Sequence, residues 1–168
     1  LMEGKRGLIL GIANDHSIAW GIARTLAGHG ARLAFTYQND AFAKRVVPLA
    51  ETVGAEMILA LDVEDEAATG AAFATLAEQW ERLDFVVHSI ADSDRRELSG
   101  RHAATSRANF LRTMDISCFS FTRLARLAAP MMAAGGSLLT LTYSGAARVM
   151  PHYNVMGVAK AALEASVR

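Results

Sequence analysis

The sequence has one cysteine, Cys118, so no disulfide can form within the chain. A reducing compartment is the simplest setting for such a protein. It also lacks net charge, with Lys+Arg 17 against Asp+Glu 17. Bulk electrostatics therefore give no support to a nucleic-acid partner or an acidic membrane surface. No apolar run approaches the roughly 18 residues needed to span a bilayer. The first residues, Leu1 to Arg6, lead straight into a short apolar run, without the long apolar region and small-residue cleavage site of a signal peptide. A soluble cytoplasmic protein is the expectation. The five histidines show no metal-ligand spacing with Cys118 or with one another, so no metal is expected. Repeats and low-complexity segments are absent. Lysine is scarce, at positions 5, 44 and 160 only.

What is present is a core-forming chain. Hydrophobic residues make up 52% and charged residues 20% of 168 positions, which excludes disorder and suits one domain over residues 1–168. Short apolar runs alternate with helical patterns. Strands are predicted at 7–12, 32–37, 56–61, 83–90 and 137–142. Helices are predicted at 17–29, 40–53, 64–82, 108–133 and 153–168. Crossovers of this length join parallel strands, with helices on both faces of the sheet. The predicted fold class is α/β, a doubly wound parallel sheet of three layers. Ligands of such sheets bind beyond the carboxyl ends of the strands. Candidate functional residues should therefore follow Ile12, Tyr37, Leu61, Ile90 and Thr142.

The first such loop, Gly11 to Gly21, has no G-x-G-x-x-G pattern. Its physical requirements are still met. Gly11 permits a tight turn, and Ala13 and Ala19 allow close backbone approach. Ser17 can cap the helix and offer a hydroxyl to a phosphate, and a helix N-terminus favours an anion. An ordinary strand–helix loop would read the same way. After the second strand stands Gln38, whose amide can bind ribose hydroxyls. No Arg or Lys stands there for a 2′-phosphate, which favours NAD over NADP. Gln38 and Asp40 could equally serve only to start a helix. Asp62, followed by Val63, could accept from an adenine amino group or simply cap the next helix. Ser89, Ile90 and Ala91 end the fourth strand with small residues where a cofactor could lie close.

Tyr153 and Lys160 carry the sharpest signal. Seven residues at 100° each come within 20° of two full turns, so a helix would put both on one face. An ammonium near a phenol favours phenolate and strengthens the phenol as an acid. With three Tyr and three Lys, such an offset arises by chance in roughly one chain in twenty. Its weight comes from following the fifth strand. Tyr143, at that strand's end, could reach the same space or be a buried, satisfied tyrosine. Met156 and the other late methionines could line an acyl pocket, though core packing explains them as well.

Taken together, Gly11 to Gly21, Phe35 to Asp40, His88-Ser89-Ile90, Asp115-Ile116-Ser117 and Ser137 to Lys160 resemble the bacterial enoyl-[acyl-carrier-protein] reductases of the short-chain dehydrogenase/reductase superfamily. Tyr143 is the specific element, since most of that superfamily has Ser there. The resemblance implies a Rossmann-like fold and reduction of a trans-2-enoyl thioester by NADH, the last step of fatty-acid elongation. It implies that Gly11, Ala13, Ser17 and Ile18 line the pyrophosphate and ribose. Gln38 would lie near the adenosine, Asp62 and Val63 would hold the adenine, and Ser89, Ile90 and Ala91 would flank the cofactor. Lys160 would bind the nicotinamide ribose. Tyr153 would stabilise the enolate oxygen, Tyr143 would position the acyl group, and Ala91 and Met156 would border the substrate. The partner would be an acyl carrier protein bearing an enoyl chain, and the assembly a homotetramer. The resemblance also implies a further strand and a covering segment after Arg168, so the sequence is expected to be a fragment of that fold. Asp92 departs from the apolar or aromatic residue usual there, and a carboxylate beside a thioester would be awkward. Two other readings are a carbonyl/alcohol oxidoreductase of the same superfamily, which Tyr143 argues against, and a non-catalytic nucleotide-binding scaffold.

Overall fold

Five apolar runs become five parallel strands, because crossover helices cover both faces of each inner strand. A computed structural model describes all residues 1–168. The strands are β1 (Arg6–Leu10), β2 (Arg32–Tyr37), β3 (Met57–Ala60), β4 (Phe85–His88) and β5 (Ser137–Thr140). Their order is β3-β2-β1-β4-β5. The helices are α1 (Ile18–Gly28), α2 (Asp40–Thr52), α3 (Glu66–Gln79), α4 (Arg107–Met114), α5 (Ser120–Ala128) and α6 (Asn154–Val167). This is the expected doubly wound, Rossmann-like parallel sheet. The chain packs as two compact units, Leu1–Ser89 with Ala125–Thr140, and Ile90–Leu124 with Leu141–Arg168.

The first unit holds the sheet. Leu8, Ile9 and Leu10 of β1 and the whole of β4 are buried. Ile9, Phe35 and Val87 share a core with Ala19, Trp20 and Ala23 of α1 and with Val46 and Ala50 of α2. Each large apolar side chain so buried contributes roughly 1.5–3 kcal/mol. Register pairs Ile9 with Phe35 and Leu10 with His88. The order reverses between β1 and β4, so the loops after Leu10 and His88 leave the switch point of the sheet, where ligands of this architecture bind. His88 and Thr140 also share a 2.8 Å hydrogen bond between Nδ1 and Oγ1, tying β4 to β5.

The second unit is built on α4, α6 and the residues between α4 and α5. Leu163 packs there with Cys118 and Phe121. The single helix predicted over 108–133 is corrected by the structure. After α4 the chain makes a π-helical turn, Asp115–Phe119, before α5 begins, and Ala129–Met132 forms a 3₁₀ turn. Two side chains account for the breaks. The Ser120 hydroxyl donates to the Ile116 carbonyl at 2.6 Å, competing with the helical ladder. Pro130 has no N–H to continue α5. No helix is long and apolar enough to cross a membrane.

Candidate active site

In the first unit the site begins at Gly11. Its φ is +91°, and a Cβ there would overlap the carbonyl oxygen of Ser89. Only glycine lets the turn lie against the end of β4, where Ser89 N donates to Leu10 O at 3.1 Å. Ser17 stands at the N-cap of α1, but its side chain makes no cap bond there. Its Oγ instead accepts from Ala13 N at 3.0 Å and Asn14 N at 3.1 Å. The hydroxyl therefore closes the loop, which corrects the capping role expected of it. The first-turn amides of α1, among them Ile18 and Ala19, keep no acceptor within the helix and carry its positive end. The Ile18 side chain is exposed.

The ends of β2 and β3 bring Gln38 and Asp62 together, with Gln38 Nε2 donating to Asp62 Oδ2 at 3.0 Å. Asp62 Oδ1 accepts from Glu64 N at 3.0 Å. The helix-starting work that each could have done belongs to others. Asn39 accepts from Ala41 N and Phe42 N to cap α2, and Asp65 accepts from Ala68 N to cap α3. Val63 beside Asp62 is buried.

In the second unit, Tyr143 and Tyr153 meet edge to face, with ring centroids 5.1 Å apart at 61°. Tyr153 stands just before α6 with φ −126°, not within the helix. Its carbonyl still accepts from Gly157 N at 3.3 Å, so Tyr153 stands at the entry of α6, seven residues before Lys160. Lys160 is buried and donates from Nζ to Leu141 O at 2.8 Å. Leu141 lies two residues before Tyr143. The phenol of Tyr153 is pushed above its ordinary range, first by burial and then by the neighbouring Tyr143. This corrects the expected drop towards phenolate. Burial holds the Lys160 ammonium below its ordinary range. Tyr153 is therefore a neutral hydrogen-bond donor at neutral pH, suited to meet a developing oxyanion. Met156 is buried in α6, while Ala91 is exposed and Ile90 half-buried.

Asp92 does not stand as a bare carboxylate. Arg112 Nη1 donates to its Oδ2 at 2.6 Å. The buried Ser117 hydroxyl accepts from Asp92 N and donates to Asp92 O, both at 3.0 Å. Sequence reasoning gave Ser117 and Arg112 no role. A guanidinium 20 residues further along the sequence was the available signal. No group of three His, Cys, Asp or Glu side chains comes together to hold a metal ion.

A glycine turn at the switch point of a doubly wound sheet marks a dinucleotide-binding class of α/β protein, and a Tyr143–Tyr153 pair and a buried Lys160 follow its fifth strand. Comparison with known proteins narrows this. A family model described as enoyl-(acyl carrier protein) reductase matches residues 11–168, and the chain belongs to that family. It is 62% identical over 168 residues to "Enoyl-[acyl-carrier-protein] reductase [NADH] 2" of Rhizobium meliloti, covering all of this chain and 63% of that protein. Among solved structures it is similar to the reductase of Anaplasma phagocytophilum in complex with NAD. That match has a TM-score of 0.96 and 56% identity over 99% of this chain and 63% of the other. The Aquifex aeolicus reductase (NADH) gives a TM-score of 0.97 at 45% identity, over 99% and 67%. The chain thus spans 62–63% of the length of the two Rhizobium meliloti reductases it resembles.

Proposed function

We propose that this chain carries the nucleotide-binding and tyrosine-bearing part of an NADH-dependent enoyl-[acyl-carrier-protein] reductase. The observation that carries the reading is the Tyr143–Tyr153 contact together with Lys160 anchored on Leu141 O. The residues fit a dinucleotide, because the Gly11 turn has no room for a Cβ and α1 begins directly after that loop. Gly11, Ala13, Ser17 and Ile18 line the pyrophosphate and its ribose. Gln38 binds the adenosine ribose, and Asp62 with Val63 holds the adenine. Ser89, Ile90 and Ala91 flank the cofactor, and Lys160 holds the nicotinamide ribose. Bound NADH supplies the hydride that adds to the β-carbon of a trans-2-enoyl thioester.

Tyr153 donates a hydrogen bond to the thioester oxygen as negative charge grows on it. A phenol kept neutral by burial does this better than a phenolate, which has no proton to donate. Tyr143, against its ring, positions the acyl group, with Met156 and Ala91 at the border. The Arg112 guanidinium balances Asp92, so the carboxylate puts little net charge near the acyl group. The enoyl chain arrives on an acyl carrier protein in the cytoplasm. Exposed Phe110, Leu111 and Phe119 support burial between copies in a homotetramer.

The test is NADH consumption on adding a trans-2-enoyl thioester, made on the 168-residue chain and on the protein as its gene encodes it. Thioester-dependent consumption by the gene-encoded protein is expected, with a better rate from NADH than from NADPH. A folded gene-encoded protein that binds NADH without turnover would overturn the reading in favour of a scaffold.

A further inference from the structure

Two residues other than glycine have positive φ, His152 at 57° and Asn154 at 23°. They flank Tyr153. Left-handed backbone costs a residue with a Cβ of order 1–3 kcal/mol and persists only where surroundings impose it. Asn and His tolerate it better than most. Glycine would tolerate it best, so the backbone angle alone does not call for Asn154.

The side chains supply the reason. Asn154 Nδ2 donates to Glu97 O at 2.9 Å and lies 3.4 Å from Ser99 O. His152 Nδ1 and Ser99 Oγ are hydrogen-bonded at 3.0 Å. Both neighbours of Tyr153 are thus tied to one loop. That loop is fixed in turn. The Glu97 carboxylate accepts from Ser106 N at 2.8 Å and Asn109 Nδ2 at 3.2 Å. Asn109 Oδ1 accepts from Asp94 N at 2.9 Å and Ser93 Oγ at 3.3 Å, and the Thr113 hydroxyl donates to Ser93 Oγ at 2.8 Å. Ser93, Asn109 and Thr113 are buried. The ring of Tyr153 is confined as well. A Cβ at Gly145 would overlap it, and one at Gly157 would stand 2.8 Å from Gly145 O.

We infer that Asn154, clamped to the Glu97–Ser99 loop, is a positioning residue that fixes where the Tyr153 phenol points. It acts through the backbone of its neighbour and touches no reacting atom. The inference rests on the proposed role of Tyr153 as hydrogen-bond donor to the thioester oxygen.

The experiment compares Asn154→Asp, Asn154→Gly and Tyr153→Phe in the protein as its gene encodes it. Asp keeps the size and left-handed tolerance of Asn but sets an acceptor against two carbonyls. Gly removes the strain and the clamp together. Each is measured for kcat and KM with a trans-2-enoyl thioester, for NADH affinity, for melting temperature, and by NMR of ¹³Cζ-labelled tyrosine, with the Tyr153→Phe spectrum assigning the Tyr153 signal. Both Asn154 variants are expected to lower kcat by roughly 10- to 100-fold, with NADH affinity held within about twofold. Both should also shift the Tyr153 resonance and bring its titration down towards the ordinary phenol range. Wild-type kcat and an unmoved resonance in Asn154→Gly would overturn the inference. So would parallel loss of kcat, NADH affinity and melting temperature in both variants, the mark of a merely structural residue. If Tyr153→Phe keeps full turnover, the functional reading fails, and the Tyr153 resonance in Asn154→Gly still decides the positioning.

Discussion

The two compact units fix their own candidate functional residues by different means. In the unit of Leu1–Ser89 with Ala125–Thr140, strand register and close backbone packing set the geometry. Gly11 lies where it does because β1 and β4 are paired and the space against Ser89 O admits no side chain. In the unit of Ile90–Leu124 with Leu141–Arg168, side-chain hydrogen bonds set it. Ser93, Asn109, Thr113, Ser117, Asn154 and Lys160 each fix a loop or a helix end. Apolar packing is non-directional and tolerates swaps of similar volume. A buried polar network depends on every member being satisfied. The first unit should therefore fail through backbone and volume, and the second through loss of single polar atoms.

Gly11→Ala tests the first half of that contrast and should have the largest effect on stability. Alanine at φ +91° is strained by about 1–3 kcal/mol, and displacing the Ser89 carbonyl adds roughly as much. Denaturant unfolding measures the loss, and NADH affinity should fall with it. A variant of unchanged stability would show that the turn can move away from β4. Tyr153→Phe tests the second half. The phenyl ring keeps the contacts with Gly145 and Tyr143, so stability should hold. Loss of one oxyanion donor should lower kcat by roughly 10²–10³-fold, or about 2.7–4 kcal/mol, with little change in NADH affinity. Equal loss of kcat and NADH affinity would remove the distinction between binding and catalysis on which the role rests.

The same contrast explains what could be read from the sequence. The fold was legible because parallel strands buried on both faces are apolar runs, and β2 lies at Arg32–Tyr37 as the pattern predicts. Strand ends in turn pointed to Gly11, Gln38 and Asp62. The second unit was harder to read, since directional bonds leave no period in a sequence. A π-helical turn slips the helical phase, but in a stretch apolar around much of its circumference that slip at Asp115–Phe119 leaves no readable trace. Tyr153 read as helical because the 14 residues of α6 follow it directly. Its neighbours His152 and Asn154, both tolerant of left-handed backbone and following Pro151, were the only local sign of an irregular entry. The Asn109 network joins residues 12 to 20 apart in sequence and meets only in the folded chain.

A paired substitution sharpens the comparison at smaller scale. Thr113→Val preserves shape but removes a hydroxyl that donates to Ser93 Oγ and reaches Asn109 Oδ1 at 3.2 Å. Leaving these buried groups short of a partner should cost about 1–3 kcal/mol. Ile9→Val in β1 removes one methylene from a fully buried site and should cost about 0.5–1.5 kcal/mol. Chemical denaturation of both variants ranks them. If Ile9→Val proves the costlier, volume rather than polar satisfaction dominates in both units.

The smallest effect belongs to the rim of the polar network. The Asp94 carboxyl is held down to about 2 from 3.8, first by the Arg96 guanidinium and then by the Arg96 amide. A carboxylate with a lowered folded pKa stabilises the fold fully above its unfolded value, and that contribution fades as pH falls through the folded value. The window is therefore between pH 3.8 and about 2. Arg96 is 90% exposed, so salt screens the pair and little stability follows from it. Arg96→Ala should raise the Asp94 titration towards 3.8 without reaching it, because residue 96 still donates its backbone N–H to Asp94 Oδ1 at 2.9 Å. NMR of the Asp94 carboxyl carbon reads this directly. A titration that stays at about 2 in the variant would place the shift in the backbone amide and the Arg112 charge rather than in the Arg96 guanidinium.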